Sequence, residues 1–125
     1  MSKILVIDDD PTILELIRAT LKVKGFTVFT ATEARQGLKT MLKEQPDLAI
    51  IDYMMPGRDG LSLIKDIRGL PDFKNIPIIM LTGSTAPNTV GKAIQYGVTD
   101  FIVKPVKLLF LLKRIDQALK NNNPS

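Results

Sequence analysis

The run Leu48-Ala49-Ile50-Ile51 ends abruptly in Asp52, and turn formers follow at Pro56-Gly57 and Asp59-Gly60. A buried strand that stops at an aspartate sets that carboxylate at the carboxyl edge of a sheet, where open α/β sheets bind ligands. Alone, Asp52 reads equally well as a turn cap. Three other run ends shift the balance. Ile4-Leu5-Val6-Ile7 stops at Asp8-Asp9-Asp10, Ile76 to Leu81 stops at Thr82-Gly83, and Phe101-Ile102-Val103 stops at Lys104-Pro105. In a parallel sheet all these ends lie on one side. The carboxylates of Asp8, Asp9 and Asp52, the Thr82 hydroxyl and the Lys104 ammonium would then converge, with Asp10 close enough to share the pocket.

Crowded carboxylates repel. At ~4 Å each pair costs about 1 kcal/mol in water and about 4 kcal/mol at an effective dielectric near 20. A divalent cation with oxygen ligands relieves that repulsion, and Mg²⁺ or Ca²⁺ suits a donor set of this kind. A hydroxyl and a lysine on the far sides of such a cation suit a tetrahedral anion, namely a phosphoryl group. A carboxylate can itself accept that group as an aspartyl phosphate, with the cation and Lys104 neutralising its charge. Each residue has a plain structural alternative. Asp9 or Asp10 could cap a helix, Thr82 could serve a turn, and Lys104 could be a surface lysine. Chance placement of all of them at strand ends is the weaker reading.

The chain has 125 residues and contains neither cysteine nor histidine. That length suggests one domain able to bury a core without staples. Disulfides, thiolate sites, a histidine base and imidazole metal ligands are all excluded. No apolar run approaches the ~20 residues of a membrane span. The start, Met1-Ser2-Lys3-Ile4, leads directly into a strand, so the expectation is a soluble, cytoplasmic chain with no signal peptide. The net charge of +4 is spread over many segments. Without basic and aromatic residues interleaved, a mildly basic solvated surface is favoured over a nucleic-acid face.

The elements that must position these side chains follow one another regularly. Ile13, Leu14, Ile17 and Leu21 repeat at helical spacing between Pro11 and Gly25. Phe26 to Phe29 predicts a second strand, and Ala34, Leu38, Met41 and Leu42 a second helix. Leu61, Ile64 and Ile67 mark a third helix, Val90, Ala93 and Ile94 a fourth, and Leu108, Leu111, Leu112, Ile115 and Leu119 a fifth. A βα unit repeated five times predicts a parallel sheet with helices on both faces. Residues 1–121 would form the domain, and 122–125 a polar tail or the start of a linker.

Together these motifs resemble the receiver domain of two-component response regulators, the family of the chemotaxis response regulator. The resemblance covers nearly the whole chain. It rests on Asp8-Asp9, on Asp52-x-x-Met55-Pro56-x-x-Asp59-Gly60, on Thr82, and on Asp100-Phe101-x-x-Lys104-Pro105. It implies a flavodoxin-like doubly wound five-stranded sheet of order 2-1-3-4-5 with five helices. It further implies that Asp52 is the phosphoacceptor and that Asp9 and Asp52 ligate Mg²⁺ directly. Asp8 would act through water, and the Met54 backbone carbonyl would be a further ligand. Lys104 would pair with phosphoryl oxygens, Thr82 would swing its hydroxyl onto them, and Phe101 would be the switch aromatic that moves inward. A cis Lys104–Pro105 peptide is expected. The implied partner is a sensor histidine kinase or a phosphotransfer protein, and the chain would catalyse only its own phosphorylation and dephosphorylation.

Some positions depart from the family pattern. Gly83 stands where alanine is common, Phe101 where tyrosine is frequent, and Lys107 where helix five commonly has an acidic cap. Leu109 and Phe110 fall off the core stripe of the last helix, at positions that are commonly charged in receivers. They are expected on the face formed by helix four, strand five and helix five, for self-association or an output partner. Half-burial against neighbours is the alternative. The other functional reading is a Mg²⁺-dependent phosphohydrolase of similar fold. That class often carries a second aspartate two residues after the nucleophile, where this chain has Met54, which cannot transfer protons. A flavin site would place phosphate against Asp8-Asp9-Asp10, and no glycine-rich phosphate loop is present.

Overall fold

The computed structural model describes residues 2–55, 57–83 and 87–121. Pro56, Ser84 and the polar tail 122–125 lie outside the described residues. The chain alternates β1 (Lys3–Ile7), α1 (Pro11–Val23), β2 (Thr27–Ala31), α2 (Ala34–Glu44), β3 (Leu48–Asp52) and α3 (Gly60–Arg68). A 3₁₀ turn over Pro71–Phe73 leads to β4 (Ile78–Thr82), α4 (Pro87–Gln95), β5 (Asp100–Val103) and α5 (Leu108–Asn121). The five strands pair in parallel in the order β2-β1-β3-β4-β5. No helix among the described residues is long and apolar enough to cross a membrane.

Alternation along the central strands supplies both layers of the core, because successive strand side chains point to opposite faces. Leu5, Ile7, Ala49, Ile51, Ile78 and Met80 pack with Met41 of α2 and Ile64 and Ile67 of α3. Ile4, Val6, Leu48, Ile50, Ile79 and Leu81 pack with Leu14 and Ile17 of α1 and Leu111 and Ile115 of α5. Both faces of β1, β3 and β4 are covered, and Asp8, Asp52 and Thr82 at their carboxyl ends are buried as well.

Several boundaries and faces differ from the sequence expectation. Phe26 precedes β2, and its N–H caps the last turn of α1 by donating to the Leu21 carbonyl at 3.2 Å. Pro77 has no N–H to add to a ladder, so β4 begins at Ile78, and the Pro77 carbonyl accepts from Ala49 N–H at 3.0 Å. In α2, Leu42 is exposed and Gly37 is buried. A Cβ at Gly37 would overlap the Ile7 side chain, so the helix lies closest to the sheet there and turns Leu42 outward. In α4, Ala93 is buried while Ile94 faces solvent. In α5 the fully buried face is Leu111, Ile115 and Ala118, and Leu108, Leu112 and Leu119 are its half-buried flanks.

Candidate functional site

The ladder register fixes the site. Ile7 pairs with Ile51, so the next residues, Asp8 and Asp52, emerge side by side. Asp52 pairs with Leu81 and Thr82 with Val103. Thr82 therefore follows one step beyond Asp52, and Lys104 one step beyond Thr82. Backbone bonds close the strand ends: Tyr53 N–H donates to Leu81 O at 2.8 Å, and Lys104 N–H donates to Thr82 O at 2.7 Å. The Lys104–Pro105 peptide is cis.

Asp8 is fully buried, Asp52 is 3% exposed, Thr82 is buried, and Asp9 faces solvent. Asp8, Asp9 and Asp52 each present a carboxylate oxygen within 4.8 Å of the others. The Lys104 Nζ lies 3.1 Å from Asp52 Oδ1 and 3.4 Å from Asp8 Oδ2. Asp8 Oδ1 accepts from Asp10 N–H at 2.9 Å, whereas its Oδ2 is buried without a hydrogen bond. With the Lys104 ammonium beside it at 3.4 Å but no hydrogen bond, that buried oxygen is well suited to a cation or its water shell. The donors are all oxygen, which fits Mg²⁺.

Burial pushes the Asp52 carboxyl up to about 6, and the Asp8 charge works in the same sense against the opposing pull of Lys104. Burial works to lower the Lys104 ammonium. The hydrogen bonds and charges of Asp52 and Asp8 outweigh it and hold Lys104 above its ordinary value. The site is thus a dense anionic pocket with one cation, short of positive charge.

Asp10 does not join the pocket. It is the N-cap of α1, and its carboxylate accepts from Thr12 N–H at 2.9 Å and from Ile13 N–H at 3.4 Å. Asp59 similarly caps α3 through Ser62 N–H at 2.7 Å. Between them, Met54 stands 67% exposed in the loop that follows Asp52. Phe101 is half-buried beside the α2–α3–α4 core layer and also lines a surface cleft with Phe110 and Arg114.

Leu109 and Phe110 have different neighbours, yet both line the groove that Leu16 enters. Phe110 turns to the β5 side, where the Arg114 guanidinium stacks over its ring at 4.5 Å and pairs with Asp100. Leu109, 77% exposed, turns toward α1 and lines a groove with Leu16. Adjacent residues on a helix diverge by 100°, so Leu109 reaches toward α1 while Phe110 sits beside β5.

The convergence expected of the strand ends includes a direct contact between Asp8 and Lys104. One relationship had no signal in the motif reading. Arg68 donates to the carbonyls of Phe73, Ile76 and Gly97, and nothing in its sequence surroundings marks it.

A family model described as the response regulator receiver domain matches residues 4–116. The regulatory protein VanR of Enterococcus faecium is 37% identical over 118 residues, covering 94% of this chain and 50% of that protein. The chemotaxis protein CheY4 of Vibrio cholerae has 34% identity and a TM-score of 0.92, covering 95% of this chain and 99% of that one. The receiver domain of a signal transduction histidine kinase from Syntrophus aciditrophicus has 30% identity and a TM-score of 0.91, covering 100% of this chain and 95% of that one. The chain spans about half the length of the curated relatives it matches.

Proposed function

This chain belongs to the response regulator receiver domain family of two-component systems, and from that premise we propose that it is a phosphoryl-accepting switch with Asp52 as the acceptor. One observation carries the assignment. Of the two buried carboxylates in the cluster with Asp9, Asp52 makes the shorter contact with Lys104, 3.1 Å against 3.4 Å for Asp8, and lies one ladder step from Thr82.

An Asp52 oxygen attacks phosphorus in line, the P–O bond forms, and the donor's bond to phosphorus breaks. With a phosphohistidine donor the imidazole leaves, and with an acyl phosphate a carboxylate leaves. Lys104 gives up its contact with Asp52 and turns to the phosphoryl oxygens, a charge-assisted pairing stronger than a neutral one. Thr82 donates its hydroxyl to the same group. Asp9, Asp52 and the Met54 carbonyl would hold Mg²⁺, with Asp8 acting through water. When bound, it supplies charge neutralisation to the transferring phosphoryl group. The donor is a sensor histidine kinase or a phosphotransfer protein. The charge gained at Asp52 is read out through Thr82 and Phe101 to the face of α4, β5 and α5. Driving such a switch from 1:99 to 99:1 requires about 5.5 kcal/mol of differential stabilisation.

Beryllofluoride with Mg²⁺ tests the assignment without turnover. A bound ¹⁹F resonance is expected for the parent and not for Asp52→Ala. A resonance of equal intensity in that variant would overturn it.

A further inference from the structure

Among the arginines, Arg18 pairs with Glu15, Arg58 with Asp66 and Arg114 with Asp100, and Arg68 holds three carbonyls. Arg35 of α2 has no hydrogen bond or ion pair among the described residues, and neither has Lys39 or Lys43 on the same helix. All three are exposed, and they follow one another at i, i+4 and i+8, opposite the buried Ala34, Gly37 and Met41. Like charges at that spacing repel. Arg35 also lies in the first turn, where the helix dipole disfavours a cation. No acidic residue stands in that turn, and Glu33 at the N-cap makes no side-chain capping bond. The C-cap, Gln45, sits at φ 52, where glycine is the usual residue. By contrast, Asp10 and Asp59 cap α1 and α3 with their side chains. α2 breaks several local rules at once, which marks a surface kept for something other than the stability of the helix.

Beside the basic row runs a short apolar edge. Leu42 is 51% exposed, and Leu38, one turn before it, is half-buried against the core. Charge and extent decide the occupant. Cations spaced about 6 Å apart along a helix axis match carboxylates repeating at the same pitch on another helix. Glu33 and Glu44 close the row at its two ends. A nucleic-acid backbone or an anionic bilayer extends past both ends and would meet those carboxylates, whereas a short acidic segment would not. A second copy in an isologous contact centred on this face would set the row against itself. We propose that the exposed face of α2 docks an acidic amphipathic helix of another protein, with its carboxylate row on Arg35, Lys39 and Lys43 and its apolar edge on Leu42. This goes beyond the phosphoacceptor reading and holds whether or not Asp52 is the acceptor.

The probes are two synthetic helical peptides of about 16 residues with the same leucine edge, one carrying a row of glutamates and one a row of lysines. Titrated into ¹⁵N-labelled protein, the acidic peptide is expected to shift the amides of Arg35, Lys39, Leu42 and Lys43 saturably. The basic peptide should bind at least roughly tenfold more weakly. The triple variant Arg35→Gln, Lys39→Gln, Lys43→Gln should bind the acidic peptide at least roughly tenfold more weakly than the parent does. It should nevertheless unfold at a higher urea concentration than the parent, because the repulsion along the row is gone. Should the triple variant fail to fold, Lys39→Glu alone must still weaken the acidic peptide. Equal binding of both peptides, binding of neither, or shifts confined to another face would overturn the proposal. So would a triple variant that keeps the peptide, or one whose urea midpoint is no higher than the parent's. Duplex DNA or phosphatidylglycerol vesicles that shift the same amides at lower concentration than the acidic peptide would also overturn it, assigning the row to nucleic acid or lipid.

Discussion

The α-carbon of Gly60 rests against the backbone of Asp52. A Cβ at Gly60 would overlap the Asp52 carbonyl oxygen and lie 3.1 Å from its carbonyl carbon and 3.0 Å from Tyr53 Cα. Gly60 N–H meanwhile donates to Tyr53 O at 2.7 Å. The obstructing atoms are main chain and cannot rotate aside. Gly60→Ala should therefore destabilise the fold by about 1–3 kcal/mol through overpacking, even though alanine is the better helix former. Urea unfolding measures it, and an unchanged midpoint would show that the approach is looser than this.

The pH dependence of stability follows from Asp52. Its folded-state value of about 6 lies above the ordinary 3.8, so the folded protein binds that proton more tightly than the unfolded chain. The favourable contribution is complete below the unfolded value and is lost as pH rises through the folded one. Metal-free protein should lose at most about 3 kcal/mol across this window, while Lys104, held above its ordinary 10.5, stays charged throughout. Asp52→Asn should remove the slope and stabilise the metal-free protein in mildly alkaline buffer, with little effect in acid. Saturating Mg²⁺ should flatten the parent's slope. Chemical denaturation across pH, with chelator and then with Mg²⁺, checks both. A variant less stable than the parent in alkaline buffer would contradict the sign.

Arg68 ties three segments together. Its Nη1 donates to Phe73 O at 3.0 Å and Ile76 O at 2.6 Å, and its Nε and Nη2 donate to Gly97 O at 3.2 and 2.7 Å. Lysine cannot reproduce the fork. Arg68→Lys should cost about 2–3 kcal/mol and raise amide hydrogen exchange around Gly97–Thr99, where α4 turns into β5. Exchange there matching the parent would leave the clasp without consequence.

On the proposed reading, phosphoryl lifetime depends on the mouth of the site, where Met54 stands 67% exposed and has no group to orient water. Met54→Asn should hasten loss of the aspartyl phosphate roughly tenfold, equal to about 1.4 kcal/mol in the barrier. Decay of phosphorylated protein after removal of the donor measures it. An unchanged or longer lifetime would count against the role given to Met54.

The strand ends were legible because two signals coincide there, an apolar run and an abrupt polar stop. Asp8, Asp52, Thr82 and Lys104 each carry that mark, and a parallel sheet necessarily gathers them on one edge. Helix faces were less legible. Leu42 and Ile94 satisfy a hydrophobic pattern by type yet face solvent, and in α2 the buried centre falls where Gly37 lets the helix approach Ile7. Asp10 shows the same limit at the site. Three consecutive aspartates look alike in sequence, and only the path of the chain into α1 separates the cap from the two that face Lys104 and Asp52. The Arg68 clasp was invisible because its partners are backbone carbonyls, which leave no trace in residue type.

Intact-mass spectrometry after incubation with acetyl phosphate and Mg²⁺ tests the central assignment most directly. The parent should gain the mass of one phosphoryl group, chelator should suppress the gain, and Asp52→Asn should remain at its starting mass. An Asp52→Asn protein that takes up phosphate as fast as the parent would show that the acceptor lies elsewhere.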